Sequence, residues 1–292
     1  MISKILKPWY LKQPSRILWR IFASKPTKKN IQKIPMAWGG RLEFDISGSI
    51  GWGAKTTGVV DLALSELLCH LIEPGDSVLD IGANVGGIAY LLARLVGKSG
   101  SVDAFEPHPQ VHEILERNQS LNLGKSLANV KLHKVAVGEV NGPVDLYEDP
   151  SAASDGEASI AKKSEQSICH EVQMVTLSEA TKAKEKYKAM KLDIEGHEFA
   201  ALQSGECLIA QKKIRNILFE DHYGPASPVF QYLKKFDYYL YAFGWENSGV
   251  RVVPAGKSIL AKNYEAPNYW ACADKIETSF IPGWKCLNTI PL

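Results

Sequence analysis

Three short segments carry acids, amides and glycines at spacings that suit chemistry. The first is Val78-Leu79-Asp80-Ile81-Gly82-Ala83-Asn84-Val85-Gly86-Gly87, an apolar run that breaks into two spaced glycines. Gly82 and Gly86 would let a ligand approach the backbone, and a helix starting there would offer free N–H groups. The second is Val102-Asp103-Ala104-Phe105-Glu106-Pro107, with Glu106 24 residues beyond Gly82. That is close to the ~20-residue spacing at which a carboxylate accepts both hydroxyls of a ribose. The third is Lys191-Leu192-Asp193-Ile194-Glu195-Gly196-His197-Glu198, followed further on by Phe219-Glu220-Asp221-His222. No second histidine completes an H-E-x-x-H zinc helix there.

A glycine turn followed by a spaced acid fits a nicotinamide cofactor or S-adenosylmethionine (SAM). Dinucleotide sites want G-x-G-x-x-G so that bare backbone can cradle a pyrophosphate. Asn84 stands at the middle position, which SAM tolerates because it has no pyrophosphate, and Asp80 can face its cationic amino group. The reading is therefore SAM, with an NAD-linked Rossmann oxidoreductase as the alternative. A methyl acceptor needs alignment and, if it is a hydroxyl, a general base. The candidates are Asp193, Glu195, His197, Glu220, Asp221 and His222. His222 or Glu220 is the preferred base, Asp193 lies near the methyl donor, Glu195 orders its turn, and Lys191 is a strand-flanking charge. Asp193 with Glu220 and Asp221 offers hard oxygen ligands for a divalent metal such as Mg²⁺, although no spacing requires one.

The elements that must position these groups alternate as in an α/β protein. Strands are expected at Arg41–Ile46, Ser77–Ile81, Ser101–Phe105, Val130–Val137, Val144–Tyr147, Glu171–Thr176, Ala189–Ile194, Ile214–Phe219 and Tyr239–Phe243. Ile259–Ala261 and Tyr269–Ala273 read as closing strands. Helices are expected at Val59–Ile72, Gly86–Val96, Gln110–Leu121, Leu177–Lys184, Glu198–Ala210 and Ser227–Phe236. Gly48 to Gly58 reads as a glycine-rich loop that lacks the lysine of a P-loop. Asn141-Gly142 is a hairpin signal. Asp149–Ser167 has no period and reads as a loop or lid.

The blocks Asp80-Ile81-Gly82-Ala83-Asn84-Val85-Gly86, Phe105-Glu106-Pro107, Ala136-Val137-Gly138 and Lys191 through Glu198, in this order, resemble the FkbM family of SAM-dependent methyltransferases. The resemblance covers roughly residues 58–245. It implies a class I methyltransferase (Rossmann-like) fold, with a mostly parallel central sheet, helices on both faces and an antiparallel closing strand. It also implies O-methyl transfer to sugar or natural-product hydroxyls. Asp80, Gly82, Ala83, Asn84 and Gly86 would hold the methionine part, with Asp193 near the methyl donor. Glu106, followed by Pro107, would hold the ribose, and Ala136 and Val137 would border the adenine. No Asp follows Val137 to take the adenine amino group. The domain is expected over residues 41–275, with a cap segment at 41–73 and the candidate lid at 149–169. Residues 276–292 form a tail.

Residues 1–42 hold ten Lys or Arg and no acid, which leaves 24 bases against 32 acids in the remainder of the 292-residue chain. Ile2, Ile5, Leu6, Trp9, Ile17, Leu18, Trp19, Ile21 and Phe22 interleave with the arm's bases. Residues 1–24 therefore suit either an anionic membrane surface or a docking site on the body. Residues 23–36 read as a linker. The acidic body argues against a nucleic acid acceptor. Five scattered cysteines form no C-x-x-C pair and read as reduced thiols of a cytoplasmic protein. The non-enzymatic reading is a membrane-associated module with a disabled methyltransferase fold.

Overall fold

The computed structural model describes residues 16, 23–123, 127–148, 158–160, 165–182, 184, 186–246, 248–256, 268–277 and 279–287. Its centre is a nine-stranded sheet. Five strands run parallel in the order β11 (Ile214–Glu220), β10 (Tyr187–Leu192), β3 (Ser77–Ile81), β4 (Ser101–Phe105), β5 (Asn129–His133). β14 (Asn268–Cys272) is inserted antiparallel between β11 and β12 (Tyr239–Glu246). β13 (Gly249–Pro254) and β15 (Phe280–Pro282) extend that edge antiparallel, each to its neighbour. Apart from β14 and β13 the strands share one direction, so the sheet is mostly parallel as expected. β14 answers to the closing strand expected at Tyr269–Ala273, and β13 is a second reversed strand.

Alternate residues of the buried strands feed two cores, as the two-residue period of a strand dictates. Val78, Ala104 and Leu218 pack on one face with Leu67, Tyr90 and Leu91. Leu79, Ile81, Met190 and Phe219 pack on the other with Leu202 and Phe230. Helices α2 (Leu62–Leu71), α3 (Ala89–Val96) and α4 (Pro109–Ser120) belong to the first side. α5 (Leu177–Ala180), α6 (Glu198–Ser204), α7 (Glu206–Ala210) and α8 (Pro228–Lys235) belong to the second. Their starts are capped by side chains where the sequence allows it. Asp61 accepts from Leu64 N–H, Thr176 from Glu179 N–H and Ser227 from Phe230 N–H, and Pro109 and Pro228 open α4 and α8.

Several expectations are corrected. The glycine-rich loop is largely helix α1 (Ser49–Thr57), which ends at Gly58 in the left-handed region. Lys33 and its neighbours, read as linker, form β1 (Ile31–Pro35), paired antiparallel with β2 (Arg41–Asp45). The helix expected from Leu177 to Lys184 stops at Ala180, and the one from Glu198 to Ala210 breaks at Gly205. The strand expected over Val130–Val137 divides between two sheets. β5 stays in the main sheet, while β6 (Ala136–Gly138) joins β7 (Gly142–Glu148), β8 (Ala158–Ser159) and β9 (Ile168–Thr176) in a second sheet of order β6-β9-β7-β8. β9 lies between β6 and β7, so Asn141-Gly142 turns the chain without making its flanking strands partners.

Among the described residues no helix is long and apolar enough to cross a membrane. The apolar residues of the arm, the strand expected at Ile259–Ala261 and most of the 149–169 segment lie outside the described residues. Arg16 is described: it is buried, and its guanidinium donates to the carbonyls of Ala54, Lys55 and Pro35.

The Asn118 amide ties β2 to the turn after β3. The fully buried Asn118 of α4 accepts from Glu43 N–H (2.6 Å) and donates to the carbonyls of Glu43 (3.2 Å) and Val85 (2.8 Å). Asn118→Ala orphans these groups and should cost about 2–3 kcal/mol of unfolding free energy in a urea titration. A loss under about 0.5 kcal/mol, the range of ordinary surface changes, would contradict this account.

Candidate active site

The strand order reverses between β3 and β10, the place where open α/β sheets form a ligand crevice at their carboxyl ends. A cavity of about 290 Å³ lies there. The turn after β3, the end of β4, β6 and the ends of β10 and β11 all line it. Gly82, Ala83, Asn84, Glu106, Pro107, Ala136, Val137, Asp193, Glu195 and Glu220 are all in its wall, brought together from segments up to 138 residues apart. Asp80, Gly86 and His222 are not among the lining residues.

Packing within the protein by itself requires glycine at residue 82. Gly82 has φ +77, and a Cβ there would stand 1.9 Å from the carbonyl oxygen of Asp193. The two strand ends therefore close on each other only with glycine at this position. Asn84 also adopts a left-handed conformation, φ +51, which asparagine tolerates better than most residues. Its Oδ1 accepts from Val85 N–H at 2.7 Å. The N–H groups expected to be free are spent inside the protein. Gly82 and Ala83 donate to the Phe105 carbonyl, Asn84 to Glu106 Oε2, and Gly86 to the Ala83 carbonyl.

Glu106 is buried, and its other oxygen accepts from His108 N–H at 2.9 Å. Burial pushes its carboxyl up to about 7 against the pull of these two donors. Lys191 proves to be far more than a strand-flanking charge. Its ammonium donates to the Gly82 carbonyl at 2.6 Å, pairs with Asp193 Oδ2 at 3.2 Å and stands 3.7 Å from Asp80 Oδ1. Burial works against that charge, but Asp193 and Asp80 outweigh it and hold the ammonium above its ordinary range. Asp80 is fully buried behind the turn, where the Lys191 ammonium and the Ala89 N–H face its carboxylate. Burial raises its carboxyl to about 6 despite Lys191.

Glu195 lines the cavity with φ +56. Glu198 orders the turn, accepting from the N–H groups of Ile194 and Gly196. Glu220 is held at about 7 by burial first, then by Asp193, Glu195 and Asp61. His222 projects outward with its side chain 72% exposed, and its Nε2 is 4.0 Å from Glu220 Oε1. Asp221 is turned back on its own loop, where Oδ1 accepts from Tyr223 and Gly224 N–H. Asp193, Glu220 and Asp221 are therefore not gathered as a metal cluster. Among the described residues the group that meets ligand spacing is His108, Glu148 and His170.

Two further residues of the cavity wall are not legible in the sequence as site residues. Asp61, with φ +42, caps α2 and accepts from Asn268 Nδ2 at 2.8 Å, and both line the cavity. Asp61 reads as an ordinary cap, and Asn268 arrives only because β14 inserts beside β11, opposite Glu220.

The parallel sheet with an inserted antiparallel strand, and a crevice floored by a glycine turn, define a class I methyltransferase architecture. Residues 80–244 match the Methyltransferase FkbM domain, and the chain belongs to that family. It is also 29% identical over 105 residues to a ribosomal protein L11 methyltransferase of Bacillus cereus, covering 36% of this chain and 32% of the relative. A Bacillus cytotoxicus counterpart is 30% identical over the same length. The chain spans about a third of the length of these curated relatives. Among solved structures it is similar to an rRNA methylase from Streptococcus thermophilus, with TM-score 0.42 and 12% identity over 72% of this chain and 93% of that one. It is also similar to Aeropyrum pernix fibrillarin with bound S-adenosyl-L-methionine, with TM-score 0.38 and 12% identity over 71% and 73%.

Lys191→Met leaves Asp80 buried beside Asp193 without its cation. Unfolding free energy should fall by about 3–5 kcal/mol, and adding Asp80→Asn should restore part of it. Strict additivity of the two single losses in the double variant would disprove the pairing.

Proposed function

We propose that this methyltransferase uses SAM to methylate a hydroxyl of a sugar, in a glycan or glycolipid, or of a hydroxylated natural product. The observation that carries the reading is Glu220, a carboxylate in the wall of the crevice, opposite Asn268 and held at about 7. A hydroxyl is a poor nucleophile, and a base that loses its proton near neutrality is matched to removing one.

The crevice suits SAM better than a dinucleotide. The Asn84 side chain folds onto Val85 N–H, where a pyrophosphate would need bare backbone. Glu106 keeps unused lone pairs for a ribose diol, and Ala136, Val137 and the neighbouring Val135 offer an apolar wall to adenine. The carbonyl groups of Ala83 and Asn84 would hold the methionine ammonium. Asp80 supports that turn from behind through Lys191. When bound, SAM supplies a methyl group activated on a sulfonium. Glu220 takes the proton of the acceptor hydroxyl, and Asp193 and Asn268 orient it. His222 remains an exposed neighbour of that base.

Calorimetry should show S-adenosylhomocysteine binding; NADH binding in its place would reject methyl transfer. Transfer from labelled SAM into an extract of the source cell should then reveal the acceptor. Glu220→Gln should keep S-adenosylhomocysteine affinity and lower the transfer rate by about 10²–10⁴. The wild-type rate should rise with pH through about 7, as Glu220 deprotonates, and then level off. An unchanged rate in the variant, or the same rise with pH, would assign the base elsewhere.

We also propose that the arm touches an anionic membrane surface, with Arg16 anchoring it to the body. The body-held guanidinium and the interleaved Trp9 and Trp19 support this. Sedimentation with anionic liposomes should fall when residues 1–15 are removed, and equal partitioning would reject the contact.

A further inference from the structure

His108, Glu148 and His170 meet where the second sheet touches the main one. His108 lies in the turn between β4 and α4, Glu148 ends β7, and His170 is within β9. Glu148 Oε2 is 3.2 Å from His108 Nε2 and 3.3 Å from His170 Nε2, and the three groups offer ligand atoms within 4.8 Å of one another. Two imidazoles and a carboxylate form a ligand set taken by borderline divalent ions. Bonds of about 2.0–2.2 Å in a tetrahedral site set neighbouring ligand atoms about 3.3–3.6 Å apart, close to the two spacings found. His108 is buried, and the two rings meet at 66° with centroids 4.7 Å apart, so neither is loose at a surface. A cavity of about 100 Å³, lined by Phe44, Ile50 and Val85 among others, opens onto His108 and Glu148. It gives an ion a way in and leaves room for a water as fourth ligand.

We propose that His108, Glu148 and His170 bind a divalent transition-metal ion, Zn²⁺ by preference, that clamps the second sheet to the turn holding Glu106. The ion has no part in methyl transfer. It joins a segment that carries cavity residues Leu146 and Ala158 to the turn whose His108 N–H holds Glu106. Ligation through Nε2 places the His108 ring proton on Nδ1. That nitrogen now faces Val111 N–H at 3.4 Å, longer than a full hydrogen bond, so this weak cap contact opens on loading. Cys169 is adjacent in sequence, but the alternation of β9 puts its thiol on the other side, beside Asp145.

The test uses the full chain without a histidine tag, stripped with a chelator and re-equilibrated with Zn²⁺ alone. One equivalent should survive gel filtration, as read by elemental mass spectrometry, and excess Mg²⁺ should not displace it. Co²⁺ in its place should give the visible absorption of a four-coordinate site, a wild-type reading that depends on no variant. H170A and E148Q should weaken Zn²⁺ by more than the about 10–100-fold that loss of an outer-shell partner costs. C169S should bind as wild type. Less than stoichiometric Zn²⁺ in the wild type, or a Co²⁺ spectrum matching hexa-aqua cobalt, would reduce the three side chains to a hydrogen-bonded link. So would unaltered binding by folded H170A.

Discussion

The closure of β3 against β10 depends on one contact, Gly82 lying under the carbonyl of Asp193. A methyl group at residue 82 would occupy the space of that oxygen. Because it is absent, Asp193 N–H can reach the Ile81 carbonyl, and Lys191 can reach across to the Gly82 carbonyl. The lysine then holds both strand ends through hydrogen bonds and charge. The crevice opens here because the chain leaves this pair of strands in opposite directions along the sheet. β4 and β5 lie to one side, β11 and β14 to the other.

The same lysine sets the electrostatics of the cavity. Asp80, Asp193 and Glu106 are neutralised in part by one ammonium, which is itself held charged by them. Burial first, then Asp193, Glu195 and Asp61, hold the Glu220 carboxyl near 7 against the pull of Lys191. One buried cation therefore divides the acids by setting. Asp80 and Asp193 stand beside it, while Glu220 at the end of β11 is held near 7.

The second sheet enters between β5 and β10 in the chain and returns Ala136, Val137, Leu146 and Ala158 to the cavity wall. Its attachment to the main body is polar as well as apolar. Glu148 meets His108, and the Ser159 hydroxyl donates to the Glu195 carbonyl at 3.1 Å. A cavity wall built on a separate sheet needs such links, since among the described residues the two sheets share no strand pairing.

Legibility followed the range of the forces involved. Mostly apolar segments such as Ser77–Ile81 and Ser101–Phe105 are central strands because they are buried on both faces, and their bounds are legible in the sequence. The glycine turn, Glu106 and the Lys191–Glu198 block were legible for the same reason: each is local in sequence. Ala136 and Val137 were legible as residues, but not as members of a second sheet, because periodicity cannot name a strand's partner. Glycines in Ser49–Thr57 read as loop, although packing of Gly51 against the Asp45 carbonyl favours a close helix there. Sequence alone thus determined the family, the glycine turn and the inventory of acids. Only the tertiary structure decided their settings. It put Asp80 behind the wall, made Lys191 central, exposed His222 and brought Asn268 beside Glu220. Those outcomes depend on burial and on contacts between residues far apart in the chain.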